Sequence, residues 1–166
     1  MESIFYNRDR KRLEVPASIR TIGVKGDHNV KRLKFELPKN IDAISIENSK
    51  IIGYWTDAAG VDNEAEVFDK TTEGDEVTFY LSVTNTMTYC AGDVVLFMCA
   101  KEIESGTVMK EWHSNQVFLK VDDCRSHLPS AVGSSEQTQI NELKKELNDL
   151  KKEVLTFTPQ EDEDNA

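Results

Sequence analysis

Between Val77 and Val83 every second residue is apolar: Val77, Phe79, Leu81 and Val83 alternate with Thr78, Tyr80 and Ser82. A period of two puts the apolar side chains on one face of an extended strand and the polar ones on the other. A strand with one apolar face cannot stand alone, so the chain must stack sheet against sheet or close a barrel. Turn signals recur about every ten residues. Among them are Gly26-Asp27-His28-Asn29, Ala58-Ala59-Gly60, Glu73-Gly74-Asp75 and Ser105-Gly106.

The same reading extends along the chain. Residues 1–17 form an N-terminal arm, with Ile4-Phe5-Tyr6 as its short apolar piece and Pro16 closing it. Ile19, Ile22 and Val24 are β-branched and lead into the first turn. Leu33, Phe35 and Leu37 alternate with charged residues up to Pro38. Lys50 to Asp57 and Glu64 to Phe68 make a hairpin around Gly60. Val94 to Ala100 (VVLFMCA) is continuously apolar and reads as a central strand covered on both faces. Val108 to Trp112 and then Val117, Leu119 and Val121 complete the domain. The expectation is a mainly β fold, an antiparallel β-sandwich of about eight strands over residues 18–121, with a barrel as the alternative.

The pattern changes after residue 121. Residues 122–135 are a linker rich in Ser, Pro and Gly. Residues 136–157 are a helix in which Ile140, Leu143, Leu147, Leu150 and Val154 are spaced 3, 4, 3, 4. Such a seam is narrow, lies on an otherwise polar helix, and needs partner helices to bury it. With Ile140, Leu147 and Val154 at a, and Leu143 and Leu150 at d, Glu146 falls at g and Lys151 at e. In a parallel coil these two meet across the seam, whereas an antiparallel coil would oppose like charges. The helix is therefore expected to be a parallel coiled-coil stem. Ile140 and Val154 at a lean toward a dimer, and Leu147 at a breaks that preference. The alternative use of the stripe is to cover the chain's own sheet. Residues 158–166 are an acidic, disordered tail.

Charge is unevenly placed. Residues 1–40 hold ten Lys/Arg against five Asp/Glu, and residues 41–166 hold ten against 25. Arg8, Arg10, Lys11 and Arg12 are candidate docking residues for an acidic protein partner. Nucleic acid is not an expected partner, because the rest of the chain would repel phosphate. Neither a signal peptide nor a membrane-spanning run is read in the sequence, so synthesis in a cytoplasm and no membrane partner are expected. Three cysteines, Cys90, Cys99 and Cys124, do not make a disulfide framework.

Sites of chemistry are sparse. Cys124 and His127 have ligand spacing but only two ligands, and Cys99 reads as a small core residue, so no metal site and no cofactor are expected. Asp57, Asp62, Asn63 and Glu64 crowd one hairpin and are a candidate for calcium, although their spacing lacks an EF-hand's periodicity. No phosphate loop, nucleophile elbow or helical His pair is found, and the chain is read as a non-enzyme without catalytic residues. Trp55, Tyr80 and Trp112, with Tyr54, are candidates for stacking on a glycan. Tyr54 and Trp55 must point to opposite faces, so one of them belongs in the core.

The stretch Val24 to Pro38 (VKGDHNVKRLKFELP) resembles the opening of the N-terminal domain of phage baseplate upper proteins, found in phages and prophages of Gram-positive bacteria. There a "GD-x-N" turn leads into an amphipathic strand ending in Pro. Residues 77–101 (VTFYLSVTNTMTYCAGDVVLFMCAK) are similar to that family's strand, polar loop, aromatic, Gly and "V-x-F-x-x-C" strand. Glu111-Trp112 followed by Ser114-Asn115 resembles its last hairpin. The resemblance covers about residues 18–121. It implies an immunoglobulin-like sandwich at the tail tip, joined to a helical stem that is often trimeric, which favours a homotrimer over a dimer. It also implies no enzymatic role and no cofactor. The implied function is a virion structural protein of the baseplate, made in the host cytoplasm, that supports host attachment beside other baseplate or fibre proteins. With no receptor-binding domain after the stem, an adaptor role is expected. A head-fibre or capsid decoration protein, and a carbohydrate-binding module on a coiled coil, are the alternatives.

Overall fold

A computed structural model describes residues 1–123 and 135–156, with helix side chains described over 140–153. The chain divides into two units, Met1–Ser126 and His127–Ala166. The first is built of strands: β1 (Ile4–Asn7), β2 (Arg12–Glu14), β3 (Thr21–Val24), β4 (Arg32–Pro38), β5 (Asn40–Ile41), β6 (Ile44–Ser45), β7 (Lys50–Thr56), β8 (Asp62–Glu66), β9 (Phe68–Glu73), β10 (Glu76–Ser82), β11 (Gly92–Glu104), β12 (Thr107–His113) and β13 (Val117–Asp122). The second contains α1 (Ser135–Thr156).

One sheet runs β2-β1-β4-β10-β9 and the other β3-β13-β11-β7-β8, with β12 also on β11 and β5-β6 a separate ribbon. The alternating residues of both sheets meet in a single core. From the first sheet come Ile4, Leu33, Phe35, Leu37, Val77, Phe79 and Leu81. From the second come Ile22, Ile51, Trp55, Leu96, Met98, Leu119 and Val121. Phe35 and Phe79 sit opposite each other on β4 and β10 and stack with ring centroids 5.3 Å apart. Burying each ring contributes roughly 1.5–3 kcal/mol.

The turns form for the reasons their residues suggest. Ser105 and Gly106 both have positive φ (51° and 80°), the mirror-image turn that matches strand twist. Gly74 (φ 61°) opens the two-residue link between β9 and β10. The Gly26-Asp27-His28-Asn29 turn takes the chain from β3 in one sheet to β4 in the other. Asp27 accepts from the Val24 N–H at 2.9 Å, and the fully buried Thr88 donates to the Asp27 carbonyl at 2.6 Å.

Several expectations change. Residues 1–17 are not an arm ahead of the domain: Ile4 and Leu13 are core residues, and β1 and β2 belong to the first sheet. The strands are thirteen among the described residues, more than the eight read from sequence, because short pieces such as β2, β5 and β6 carry too few residues to show a period. The sheets are not wholly antiparallel, since β1 pairs parallel with β4 and β3 with β13. The VVLFMCA run is central, but Val95 and Phe97 on its outer face are only half-buried. Most of the expected linker and all of the acidic tail lie outside the described residues.

Candidate functional site

The helical seam is presented as a stripe. Over α1, Leu143, Leu147 and Leu150 are 63%, 53% and 58% exposed, and Ile140 is half-buried. Glu146 and Lys151 are exposed beside them. The Val154 side chain lies outside the described residues. No helix among the described residues is long and apolar enough to cross a membrane.

The four candidate docking residues lie at the exposed end of the β1–β2 hairpin, Arg12 as the first residue of β2, each beside a carboxylate. Arg8 pairs with Asp75 at 2.6 Å, Arg10 and Arg12 with Glu14 at 3.2 and 3.5 Å, and Lys11 with Asp42 at 4.0 Å. Exposed pairs of this kind contribute little, about 0.2–1 kcal/mol each, and leave the cations open to exchange partners.

The three aromatic glycan candidates are not brought together. Trp55 is 3% exposed in the core, with no hydrogen-bond partner for its indole N–H. Tyr80 stands on the outer face of the first sheet under the Arg32 guanidinium, 4.3 Å from the ring centroid. Trp112 packs edge-on against Tyr6 at 6.1 Å. In the acidic hairpin, two of the carboxylates are engaged within the loop itself. Asp57 is buried, and its Oδ1 accepts from the Ala59 and Val61 N–H groups at 2.9 and 2.8 Å, closing its own loop. Asp62 accepts from the Thr56 hydroxyl at 2.7 Å. Cys124 and His127 lie outside the described residues.

A different group does converge, on the outer face of the second sheet. Cys99 on β11 lies opposite His113 on β12, and Lys101 opposite Glu111. Glu111 and His113 are two residues apart on one strand and so share that face. The Cys99 thiol donates to Glu111 Oε1 at 3.3 Å, and His113 Nε2 lies 2.9 Å from the same oxygen. Each of the three residues offers one ligand atom within 4.8 Å of those of the other two. Lys101 Nζ approaches Glu111 at 3.8 Å.

The electrostatics follow from this packing. Burial first, and then the Glu111 carboxylate, push the Cys99 thiol up to about 11. Hydrogen bonds from His113 and then Cys99 hold the Glu111 carboxyl below the usual carboxylate range. The Tyr54 phenol, and after it Glu111, hold the Lys101 ammonium above its ordinary value. A thiol held this firmly protonated is not an activated nucleophile. Beside the cluster, Tyr54 stacks on Phe97 at 5.2 Å, and Phe97 meets the His113 ring edge-on at 6.1 Å. Tyr54, Phe97, Glu111, His113, Ser114 and Gln116 line a shallow cavity of about 330 Å³.

Sequence reasoning missed this cluster. The available signal was Glu111-x-His113 on a strand facing a strand that contains Cys99. Compared with known proteins, the chain matches no family model, and no curated protein matches it.

Proposed function

We propose that this chain is a virion structural protein, an adaptor of the phage tail baseplate that self-associates through α1 and docks through its β domain. In this reading the two-layer domain is an immunoglobulin-like sandwich, and α1 is one strand of a parallel coiled coil, with a trimer favoured over a dimer. The observation that carries it is the leucine stripe: Leu143, Leu147 and Leu150 are each more than half exposed on a helix whose other described residues are largely polar. Exposed leucines at heptad spacing are stabilised by burial against like helices, and Glu146 and Lys151 supply complementary charge for a second copy. Helices in proteins owe most of their stability to packing of an apolar face, which a second copy would supply to α1. The placement in a baseplate rests on the resemblance over residues 24–38, 77–101 and 111–115.

The test is the mass of the full chain by light scattering. A parallel oligomer should fall to a monomer in the double variant Leu143→Asp, Leu150→Asp, with the β domain's thermal transition retained. A monomeric parent chain would end the self-association reading. Co-sedimentation with purified tails supports the baseplate placement, and co-sedimentation with capsids replaces it with a head-fibre or decoration role.

A further inference from the structure

We propose that Cys99, Glu111 and His113 bind a divalent transition-metal ion of the zinc class on the outer face of the second sheet. A thiolate, an imidazole and a carboxylate form a borderline-soft donor set suited to Zn2+ and unlike the all-oxygen sets of calcium or magnesium. The spacing fits as well. In a tetrahedral site with Zn–N and Zn–O near 2.0 Å and Zn–S near 2.3 Å, neighbouring ligand atoms are about 3.3–3.5 Å apart. Here the sulfur–oxygen distance is 3.3 Å and the nitrogen–oxygen distance 2.9 Å. The remaining closure lies between the Cys99 sulfur and the His113 ring, one of whose nitrogens is no more than 4.8 Å from it.

The scaffold favours such a site. All three ligands stand on two adjacent strands of one sheet, more rigid than a loop. Cys99 is buried at the base, while Glu111 and His113 form the exposed rim, so an ion can enter from solvent and still be held from below. Glu111 and His113 also line the cavity beside Tyr54 and Phe97. Three protein ligands leave a fourth position for water or a small ligand.

The S–H bond gives way to S–Zn, and the thiol proton leaves to solvent. The imidazole carries its proton on Nδ1 and gives the Nε2 lone pair to the ion. Thiolate, carboxylate and Zn2+ then sum to zero charge, with Lys101 adjacent to the carboxylate.

The test uses the full chain with Zn2+ alone by calorimetry and with Co2+ alone by absorption spectroscopy. One ion per chain and a thiolate-to-cobalt charge-transfer band are expected. Affinity should fall at least tenfold in His113→Gln and in Glu111→Gln, and the band should vanish in Cys99→Ala. Cys90→Ser, Cys124→Ser and His127→Gln should leave both readouts unchanged. His113 and Glu111 are exposed, so their variants keep the fold, which circular dichroism checks, even if Cys99→Ala does not. Absence of the band in the parent chain overturns the proposal. So does equal affinity in His113→Gln, or a band that is lost with Cys124.

Discussion

Gly53 on β7 and Leu81 on β10 touch across the two sheets so closely that a Cβ on Gly53 would lie 2.8 Å from Leu81 Cδ2. Leu81 is 1% exposed and has neighbours on every side, so it has little room to yield. Gly53→Val should therefore lower stability by about 1–3 kcal/mol through overpacking. Leu81→Ala in the same chain should recover part of that loss. Denaturant midpoints at unchanged m-value measure both.

Asp57 holds the β7–β8 loop from within. Its buried carboxylate serves two backbone N–H groups, at Ala59 and Val61. Asp57→Ala leaves them without that acceptor and should cost about 1–3 kcal/mol. Asp57→Asn keeps an acceptor oxygen and should cost less. Calcium should not change the melting temperature of either chain.

The acid side of stability carries a contribution from Glu36. Lys34 donates to Glu36 Oε1 at 2.6 Å, and this bond holds the Glu36 carboxyl below the 4.5 of a free glutamate against the opposing effect of burial. A carboxyl with a lowered folded pKa stabilises the fold above its unfolded value, and that stability is lost as pH falls through the folded value. The parent chain should therefore lose more stability than Glu36→Gln between neutral pH and pH 3, by a few tenths to about 1 kcal/mol. Denaturant midpoints at the two pH values, compared between the two chains, isolate the Glu36 contribution from those of the other carboxylates.

The orientation of the stem can be read from a charge exchange. In a parallel coil, Glu146→Lys or Lys151→Glu alone should weaken association by about 0.2–1 kcal/mol per pair. The double exchange should restore it. An antiparallel coil should respond to the single exchanges in the opposite direction. Sedimentation equilibrium over a concentration series supplies the dissociation constants.

Much of the domain was legible because its signals are local. Phe79 and Leu81 are buried and Tyr80 is not, as a period of two requires. The Ser105-Gly106 turn follows from two adjacent residues that tolerate positive φ in a mirror-image turn. Of Tyr54 and Trp55, one had to be core, but only the packing of the two sheets showed that it was Trp55. The parallel pairing of β1 with β4 was not legible, because a four-residue strand has no period of its own and joins whichever sheet edge is offered.

The sequence by itself determined the alternating strands, their turns and the heptad spacing of α1, because each depends on residues a few positions apart. The tertiary structure alone decided the Cys99 cluster. Counted from the Ser105-Gly106 turn, a regular hairpin pairs Glu104 with Thr107 and Ile103 with Val108, which would set Cys99 opposite Trp112. A register shift between Glu102 and Ile103 leaves Met109 unpaired and moves Cys99 opposite His113. One extra residue in a ladder exchanges the faces of every side chain beyond it. That shift places Glu111 and His113 on the face of Cys99 and sends Trp112 to the other.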